Sequence, residues 1–584
     1  MDLSNCYLTD EKSINGNYWK LDKTSIDQVK TIKLNYNLSE EVAKVLAIRK
    51  TDLNQITYVT NPSLKKYLPD PFVLKNMNLA INTLVMKIIN NEVVGLLGDY
   101  DVDGATSSAI LYKYLKFINI NTEVYIPDRI KDGYGISKNA IDYFHSLEVS
   151  FLIALDCGTN DSSSILYAKD CGIDVSIIDH HEVKKLGKPV SIVNPKLDDD
   201  ESNLDILCTA GLAFLFIVGV NRELRNRGFF KNTKEPNLKR LLDIVAIGTI
   251  CDLVPLEKTN RLFVKKGLEI INYNLNKGLN VLKNKLKLNS LIKAADISYY
   301  IGPCINAAGR IGDPNLGFQL LTKNKDEDLN LIADKLINSN KERKTLEALA
   351  YDKAVSLINN NNNNFIFLAS KTWHPGIVGI IASRLVEDYK VPAFVMSILE
   401  EEVSGSIRSV KNIDISKVLS SLLELGFIES GGGHAMAGGF KLKAKNLEKL
   451  KKYLDNNNSI FLKNKKNVIN IDLETNIEDM NIKMIERLQE LEPYGMGNPE
   501  PKILIKGVTS VFSRKIGKDN KHLLCTLEDI YGKKIKAIAF NCLNKEICNV
   551  LENSSRFDVV GKITINEWDD KKKPQFLIED LKVI

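Results

Sequence analysis

Three aspartates, Asp99, Asp101 and Asp103, stand on alternate positions in Gly98-Asp-Tyr-Asp-Val-Asp-Gly104, directly after the apolar run 93–97. Residues two apart in a strand face one side, so two or three carboxylates point the same way and repel unless a cation neutralises them. A hard divalent metal such as Mg or Mn, which takes oxygen ligands, is the obvious neutraliser. Taken alone, the run suits a solvated acidic turn at a helix start just as well.

The elements that must position these residues are short apolar strands alternating with helical stretches, at 93–97, 123–126, 151–155, 175–178 and 191–193. That alternation is the pattern of a parallel sheet with right-handed crossovers. Chemistry-bearing residues collect at the strand ends: Asp99 to Asp103, then Arg129, then Asp156, then Asp179-His180-His181. Ligands of open α/β sheets bind outside the carboxyl ends of the strands, so four strand ends converge on one crevice. A further apolar stretch, 241–250, delivers Asp252, and Pro255 stops the element just beyond it.

Pooled, Asp99, Asp101, Asp103, Asp156, His180 and Asp252 suffice for two metal ions sharing a bridging carboxylate. Such a pair, about 3.5–4 Å apart, serves in-line displacement at phosphorus, and no side-chain nucleophile is then required. Imidazole is a softer donor than carboxylate, which favours Mn while allowing Mg. Of the six histidines, His180, His181, His374 and His434 lie in Gly- or Asp-rich turns instead of on apolar periodic faces.

The 584 residues allow about three or four domains. With 44% hydrophobic and 26% charged residues the chain has the composition of a soluble globular protein. A net charge of +6 permits a polyanionic partner without demanding one. Nine cysteines, none spaced C-x-x-C, argue against a disulfide framework and a structural zinc site. No apolar run reaches the length of a bilayer span, and the opening residues lack the pattern of a secretory signal, so a cytoplasmic location is expected.

Residues 260–358 read as helical, broken by a Gly- and Pro-containing turn at 302–314, and the asparagine run 359–364 marks a loop or boundary. A second α/β unit follows at 365–460, with the run Gly431 to Gly433 read either as a close backbone approach to phosphate or as a tight strand-to-helix turn. Past 457 the alternation is of β-hairpin type, with turns at Gly532 and Asp569-Asp570, and fits a small OB-type barrel. Phe512, Tyr531, Phe540, Trp568 and Phe576 are its aromatic candidates for stacking or core, and Lys533, Lys534 and Lys536 could follow a nucleic-acid backbone or decorate an edge strand.

In order along the chain, Gly98-Asp-Tyr-Asp-Val-Asp-Gly104, Leu155-Asp-Cys-Gly158, Asp179-His-His181 and Cys251-Asp-Leu-Val-Pro255 resemble the four motifs of the DHH phosphoesterase superfamily. Within it the chain resembles the RecJ single-strand-specific exonucleases, through Ile126-Pro-Asp-Arg129, Gly133-Tyr-Gly135, Asn306-Ala-Ala-Gly-Arg310, Trp373-His-Pro-Gly-Ile-Val-Gly379, Gly405-Ser-Ile-Arg-Ser409, Gly431-Gly-Gly-His-Ala-Met-Ala-Gly-Gly439 and Glu492-Pro-Tyr-Gly-Met-Gly-Asn-Pro-Glu-Pro501.

This resemblance implies a 5′-to-3′ exonuclease that releases 5′-mononucleotides from single-stranded DNA with Mn or Mg, in DNA repair and recombination. It implies that Asp99, Asp101, Asp103, Asp156, His180 and Asp252 hold the metals, with Asp156 also catalytic, and that His181 and Arg310 contact the scissile phosphate. Arg129, Ser406 and Arg408 would bind the terminal 5′-phosphate, with His374, Gly432, Gly433 and His434 lining the same cleft. The superfamily's small-molecule phosphatases often have a histidine four residues before the central aspartate, where this chain has Leu97, so the sharing of three aspartates between two ions stays open.

The expected fold is multidomain α/β: an N-terminal extension (1–90) packing on the catalytic domain, a parallel-sheet DHH catalytic domain (91–270), a helical connector (271–358), a DHH-associated substrate-binding domain (365–460) and an OB-like single-strand-binding domain (465–584). Single-stranded DNA is the expected partner, with a helicase and a single-strand-binding protein as further candidates, a monomer as the expected state, and no membrane. Two competing readings are a phosphatase of the same superfamily acting on nanoRNA or small phosphorylated molecules, and a non-catalytic nucleic-acid scaffold. The full set of carboxylates weighs against the scaffold.

Overall fold

In the computed structural model the described residues are 6–8, 11–358, 364–411, 413–461, 467–543, 545–553, 555–568 and 571–584. Most of the asparagine run, the Asp569-Asp570 turn and the Trp568 side chain lie outside them.

Five strands form one parallel sheet in the order Thr122–Tyr125, Val94–Leu97, Phe151–Leu155, Asp174–Ile178, Ser191–Val193. Helices cover both faces, so the strands are apolar throughout instead of alternating. Met77–Ile89, Val102–Phe117, Thr209–Asn226 and Leu242–Cys251 bury one face in the largest core. Lys138–Ser146 and Ser162–Asp170 cover the other. From Val94–Leu97 the chain winds first to one neighbour and then to the other. The sheet therefore has its topological switch point between Val94–Leu97 and Phe151–Leu155, where an open α/β sheet gapes to admit a ligand.

Residues 302–311 correct the expected turn: Gly302–Ile311 is a helix, entered through a π-helical turn, Ile297–Ile301. Pro303 lies in the helix's first turn, where its missing N–H costs nothing, and the small residues let the helix pack closely instead of breaking it. The connector then runs through Asp326–Leu357, a 32-residue helix about 48 Å long. Beyond it a five-stranded sheet is built from Ile366–Ser370, Ala393–Leu399, Glu402–Arg408, Ala437–Lys443 and Ser430–His434. The triple glycine is thus neither a strand-to-helix turn nor a loop; it lies in an edge strand hairpinned to Ala437–Lys443.

Residues 503–583 close a five-stranded barrel, in which Ile503–Ile516 pairs with both His522–Glu528 and Phe557–Trp568. Lys534–Ala539 is flanked on both sides, so its lysines do not decorate an edge; Lys533 and Lys534 are ion-paired to Glu478 and Glu528. Phe512, Tyr531 and Phe540 are exposed, whereas Phe576 is wholly buried in the barrel core.

The expectation that 1–90 packs on the catalytic domain needs correcting for its first two thirds. Tyr18–Asp22 pairs in parallel with Val468–Ile471, and helices Ile26–Tyr36 and Glu40–Ile48 share one core with the barrel. Buried Asp580, near the end of the chain, accepts hydrogen bonds from Ser13, Asn17 and Trp19. Within 1–90, Leu74 and Met77–Ile89 belong to the catalytic core, with Leu64 and Leu68 packed against it. The two bodies meet at buried Arg261, whose guanidinium has no carboxylate partner among the described residues and donates to the carbonyls of Val59, Leu491 and Glu492 at 2.8–3.0 Å. Among the described residues no single helix is long and apolar enough to cross a membrane.

Candidate metal centre and phosphate cleft

The first aspartate motif folds back on itself. Asp101 is the N-cap of Val102–Phe117, its Oδ1 accepting from the amides of Asp103 (2.9 Å) and Gly104 (3.1 Å), as a short acidic side chain does at a helix start. The turn is so tight that a Cβ on Gly104 would lie 2.4 Å from the Asp99 backbone, so only glycine fits there. Asp103 then points at the first turn of Thr209–Asn226, accepting from the amides of Thr209 (2.6 Å) and Ala210 (2.9 Å). A helix N-terminus stabilises negative charge, which explains how a carboxylate this buried is held.

Asp156 follows the third strand with a positive φ of 66°, a strained conformation for a non-glycine residue that turns its carboxylate into the crevice. Its Oδ1 accepts from Thr209 Oγ1 at 2.9 Å. Asp252 caps the C-terminal end of Leu242–Cys251. His180 Nε2 lies 3.5 Å from Asp156 Oδ1, 3.6 Å from Asp252 Oδ2 and 3.9 Å from Asp103 Oδ2.

All six expected ligands are therefore brought together. Their ligand atoms fall into three clusters, each compact enough for one ion: Asp99, Asp101 and Asp156; Asp103, His180 and Asp252; Asp156, His180 and His181. Asp99 Oδ1 and Asp252 Oδ2 are buried with no hydrogen-bond partner among the described residues. Buried carboxylate oxygens are rarely left unsatisfied unless something outside the protein satisfies them, and these are aimed at the cluster. Burial, reinforced by mutual repulsion, pushes the carboxyls of Asp99, Asp156 and Asp252 well above the usual range and that of Asp103 up to about 6. The donor set fits divalent cations, which would reverse that repulsion.

The two adjacent histidines are driven to opposite states. Burial holds His180 down to about 3, which keeps its imidazole neutral and free to ligate. Burial also opposes charge on His181, but the Asp179 carboxylate, 2.8 Å from Nδ1, outweighs it and holds the ring up to about 9. Asp179 itself accepts from the amides of His180, His181 and Thr159. The Tyr134 hydroxyl completes this frame, donating to the Asp156 carbonyl at 3.2 Å and lying 3.0 Å from His181 Nδ1. Sequence reasoning missed these supporting roles of Asp179 and Tyr134, although both lie inside motifs it quoted.

A cluster of arginines borders the carboxylates. A Cβ on Gly309 would meet the Tyr100 carbonyl at 2.0 Å, so the helix that carries Arg310 is pressed directly on the aspartate loop. Arg310 Nη1 donates to the Gly376 carbonyl of the second unit at 3.1 Å. Arg129 stacks over the Tyr100 ring at 5.1 Å, and Arg408 donates to Ser406 Oγ at 2.9 Å. Burial, then the charge of Arg129 and its neighbours, lowers the Arg310 guanidinium to about 10 and that of Arg408 in the same direction. Cations crowded against their own repulsion make a ready receptor for a multiply charged anion.

Arg343, which sequence reasoning did not pick out, also repels Arg310 and is held by Asn340 and Glu347. His374 lies near Arg129, its Nδ1 accepting from the Gly376 amide. Gly432 and His434 approach from across the cleft, where Lys184 abuts Gly432 and His434 Nδ1 is 3.8 Å from Glu182. Gly433, next along that strand, faces its hairpin partner, where an added Cβ would meet the Ala437 carbonyl at 2.2 Å.

Comparison with known proteins places this geometry among relatives. Residues 93–249 match the DHH family, N-terminal domain, residues 362–459 the DHHA1 domain and residues 471–580 the RecJ OB domain. The chain is 30% identical over 582 residues to the single-stranded-DNA-specific exonuclease RecJ of Bacillus subtilis (strain 168), covering 97% of this chain and 71% of that one. It is 29% identical over 547 residues to the protein of the same name from Haemophilus influenzae, covering 91% and 94%. Its fold superposes on the crystal structure of RecJ in complex with Mn2+ from Thermus thermophilus, with a TM-score of 0.81 and 24% identity, covering 97% and 79%. A crystal structure of an exonuclease RecJ bound to manganese matches 66% of this chain and 95% of that one at 27% identity and a TM-score of 0.55.

Proposed function

This chain belongs to the RecJ family of single-stranded-DNA-specific exonucleases, and from that premise we propose that it hydrolyses single-stranded DNA from the 5′ end, releasing 5′-mononucleotides in DNA repair and recombination. The observation that carries this reading is a pocket of three arginines, Arg129, Arg310 and Arg408, which have no carboxylate partner among the described residues and are set directly beside a six-ligand metal centre. Arg129 and Arg408 would receive a terminal phosphate and Arg310 the next phosphodiester at the carboxylates, so cleavage proceeds one nucleotide at a time.

Asp99, Asp101 and Asp156 would hold one divalent ion, and Asp103, His180 and Asp252 the other; Asp156 Oδ1 also lies 3.5 Å from His180 Nε2. In this assignment Asp99 supplies the ligand that Leu97 cannot. When bound, Mn or Mg would acidify a water and neutralise charge on the phosphate oxygens. Charged His181, fixed by Asp179, sits where negative charge grows on the scissile phosphate and costs no reorganisation as it does so. Arg129, Ser406 and Arg408 orient the terminal phosphate, with His374 beside them; Gly432, Gly433 and His434 close the far edge of the cleft. The exposed Phe512, Tyr531 and Phe540 of the barrel offer faces on which bases of an unpaired strand can stack.

The test is a long single strand labelled at either end and incubated with Mn. Mononucleotides appearing first from the 5′ label support the reading. Release from the 3′ end, or release of phosphate from small substrates with the strand left intact, contradicts it.

A further inference from the structure

One cation at the centre has no role in this scheme. Lys196 lies three residues beyond the strand Ser191–Val193. Its backbone belongs to the frame that carries His181: fully buried Asn194 donates to the His181 carbonyl (2.9 Å) and to Thr159 Oγ1 (3.1 Å), and accepts from the Lys196 amide (2.9 Å). The side chain is mostly covered, and its Nζ is 3.1 Å from Glu182 Oε1.

The charge of Lys196 is felt at His180, Asp252 and His434, whereas that of Arg129 is felt at Asp99, Arg310, His374 and Arg408. Lys196 therefore lies on the His180 and Asp252 side of the carboxylates, and Arg129 on the Asp99 side. Its partner Glu182 is half exposed and also faces His434 across the cleft. With its carboxylate half in solvent, such a pair is weak and readily exchanged.

We propose that Lys196 is a second phosphate-binding cation of the site, engaging the DNA backbone on the His180 and Asp252 side of the carboxylates, and that Glu182 holds it until the strand arrives. This rests on the exonuclease reading and extends it to the nucleotide beyond the scissile bond. A phosphate oxygen makes a stronger, charge-assisted contact than the solvent-exposed carboxylate it displaces.

The two partners then act with opposite signs, which no merely structural role produces. On a long 5′-phosphorylated strand with Mn, Lys196→Ala raises KM by about three- to tenfold with kcat within about twofold, and Lys196→Arg restores most of the loss. Equilibrium binding of the same strand loses about 0.7 from its log-salt slope in Lys196→Ala, one phosphate contact fewer. Glu182→Gln lowers KM by removing the competitor. The proposal is overturned if Lys196→Ala leaves KM and slope unchanged, or if the two variants shift KM in the same direction. Should the wild type bind the strand without cutting it, the exonuclease reading fails, and the change in binding slope still decides the role of Lys196.

Discussion

Asp179 Oδ1 lies 2.8 Å from Nδ1 of His181, and the same carboxylate accepts the amides of both His180 and His181. One buried acid thus fixes the backbone of two neighbouring histidines and the charge of only the second. The proposed metal ligand and the proposed phosphate contact are separated by a single peptide unit.

Asp179→Asn keeps the shape of that turn and removes the charge that sustains His181. Loss of a supporting partner of this kind costs about ten- to a hundredfold in activity. The loss is expected in kcat with Mn affinity nearly unchanged. Steady-state kinetics beside calorimetric Mn titration checks this, and a variant that instead loses Mn binding would assign Asp179 to the metal site.

Asp156→Ala, His180→Ala and Asp252→Ala each reduce hydrolysis by at least about a hundredfold, because each removes a ligand that no neighbour replaces. Asp252→Asn carries a second signature. With one repelling carboxylate neutralised, the metal-free protein melts higher than wild type while losing most of the rise in Tm that Mn confers. Differential scanning fluorimetry with and without Mn reads both effects, and near-normal turnover in any of the four would contradict the assignment.

The pH dependence of the metal-free protein follows from the raised carboxyls. Asp103 sits at about 6 when folded, against about 3.9 for an unperturbed aspartate, and Asp99, Asp156 and Asp252 are displaced the same way. The folded state therefore holds protons that the unfolded chain has released. The stabilisation is complete below about pH 4 and is lost as pH rises through about 6. Mn replaces those protons, so its gain in Tm is larger at about pH 7.5 than at about pH 5.5. Equal gains at the two values would count against the shared cluster.

Arg408→Ala lowers the preference for 5′-phosphorylated over 5′-hydroxyl strands by about tenfold, with cleavage of the 5′-hydroxyl strand little changed. Parallel assays on the two strands give the ratio directly. An unchanged ratio would remove Arg408 from the terminal-phosphate pocket.

Truncation after residue 461 is expected to remove single-strand affinity and reduce its salt dependence. It also strips the cover from Val42, Leu46 and Ile56, which are buried against the barrel. A protein lacking both 1–60 and 467–584 is therefore more soluble than one lacking the barrel alone. Expression of the two truncations side by side tests this, and the opposite ranking would separate the N-terminal helices from the barrel.

The catalytic sheet was legible because its signals are local. Each strand is a short apolar run, and each ends on a polar residue that the parallel topology carries to one crevice. The ligand set followed from those ends, and the arginines from motifs resembling a known family. Other features depend on contacts distant in sequence. Gly302–Ile311 reads as a breaker until its packing on the Tyr100 carbonyl explains the small residues. Glycines 431–433 lack any strand propensity and are held in register by Phe440, Gly439 and Gly438 across the hairpin. The pairing of Tyr18 with Val468 has no local signature at all. Asp179 stood in a quoted motif, but only its distance to Nδ1 reveals that it serves the neighbouring ring and not an ion.

The joining of the two ends of the chain, with Asp580 holding Ser13, Asn17 and Trp19, has a consequence for the order in which the molecule is made. At about 5–20 residues per second, roughly 520 residues of synthesis separate the N-terminal helices from the barrel that covers them, an interval of about half a minute to two minutes. Helices Ile26–Tyr36 and Glu40–Ile48 are thus made well before the strands that shelter them, and their apolar faces wait exposed until those strands are released.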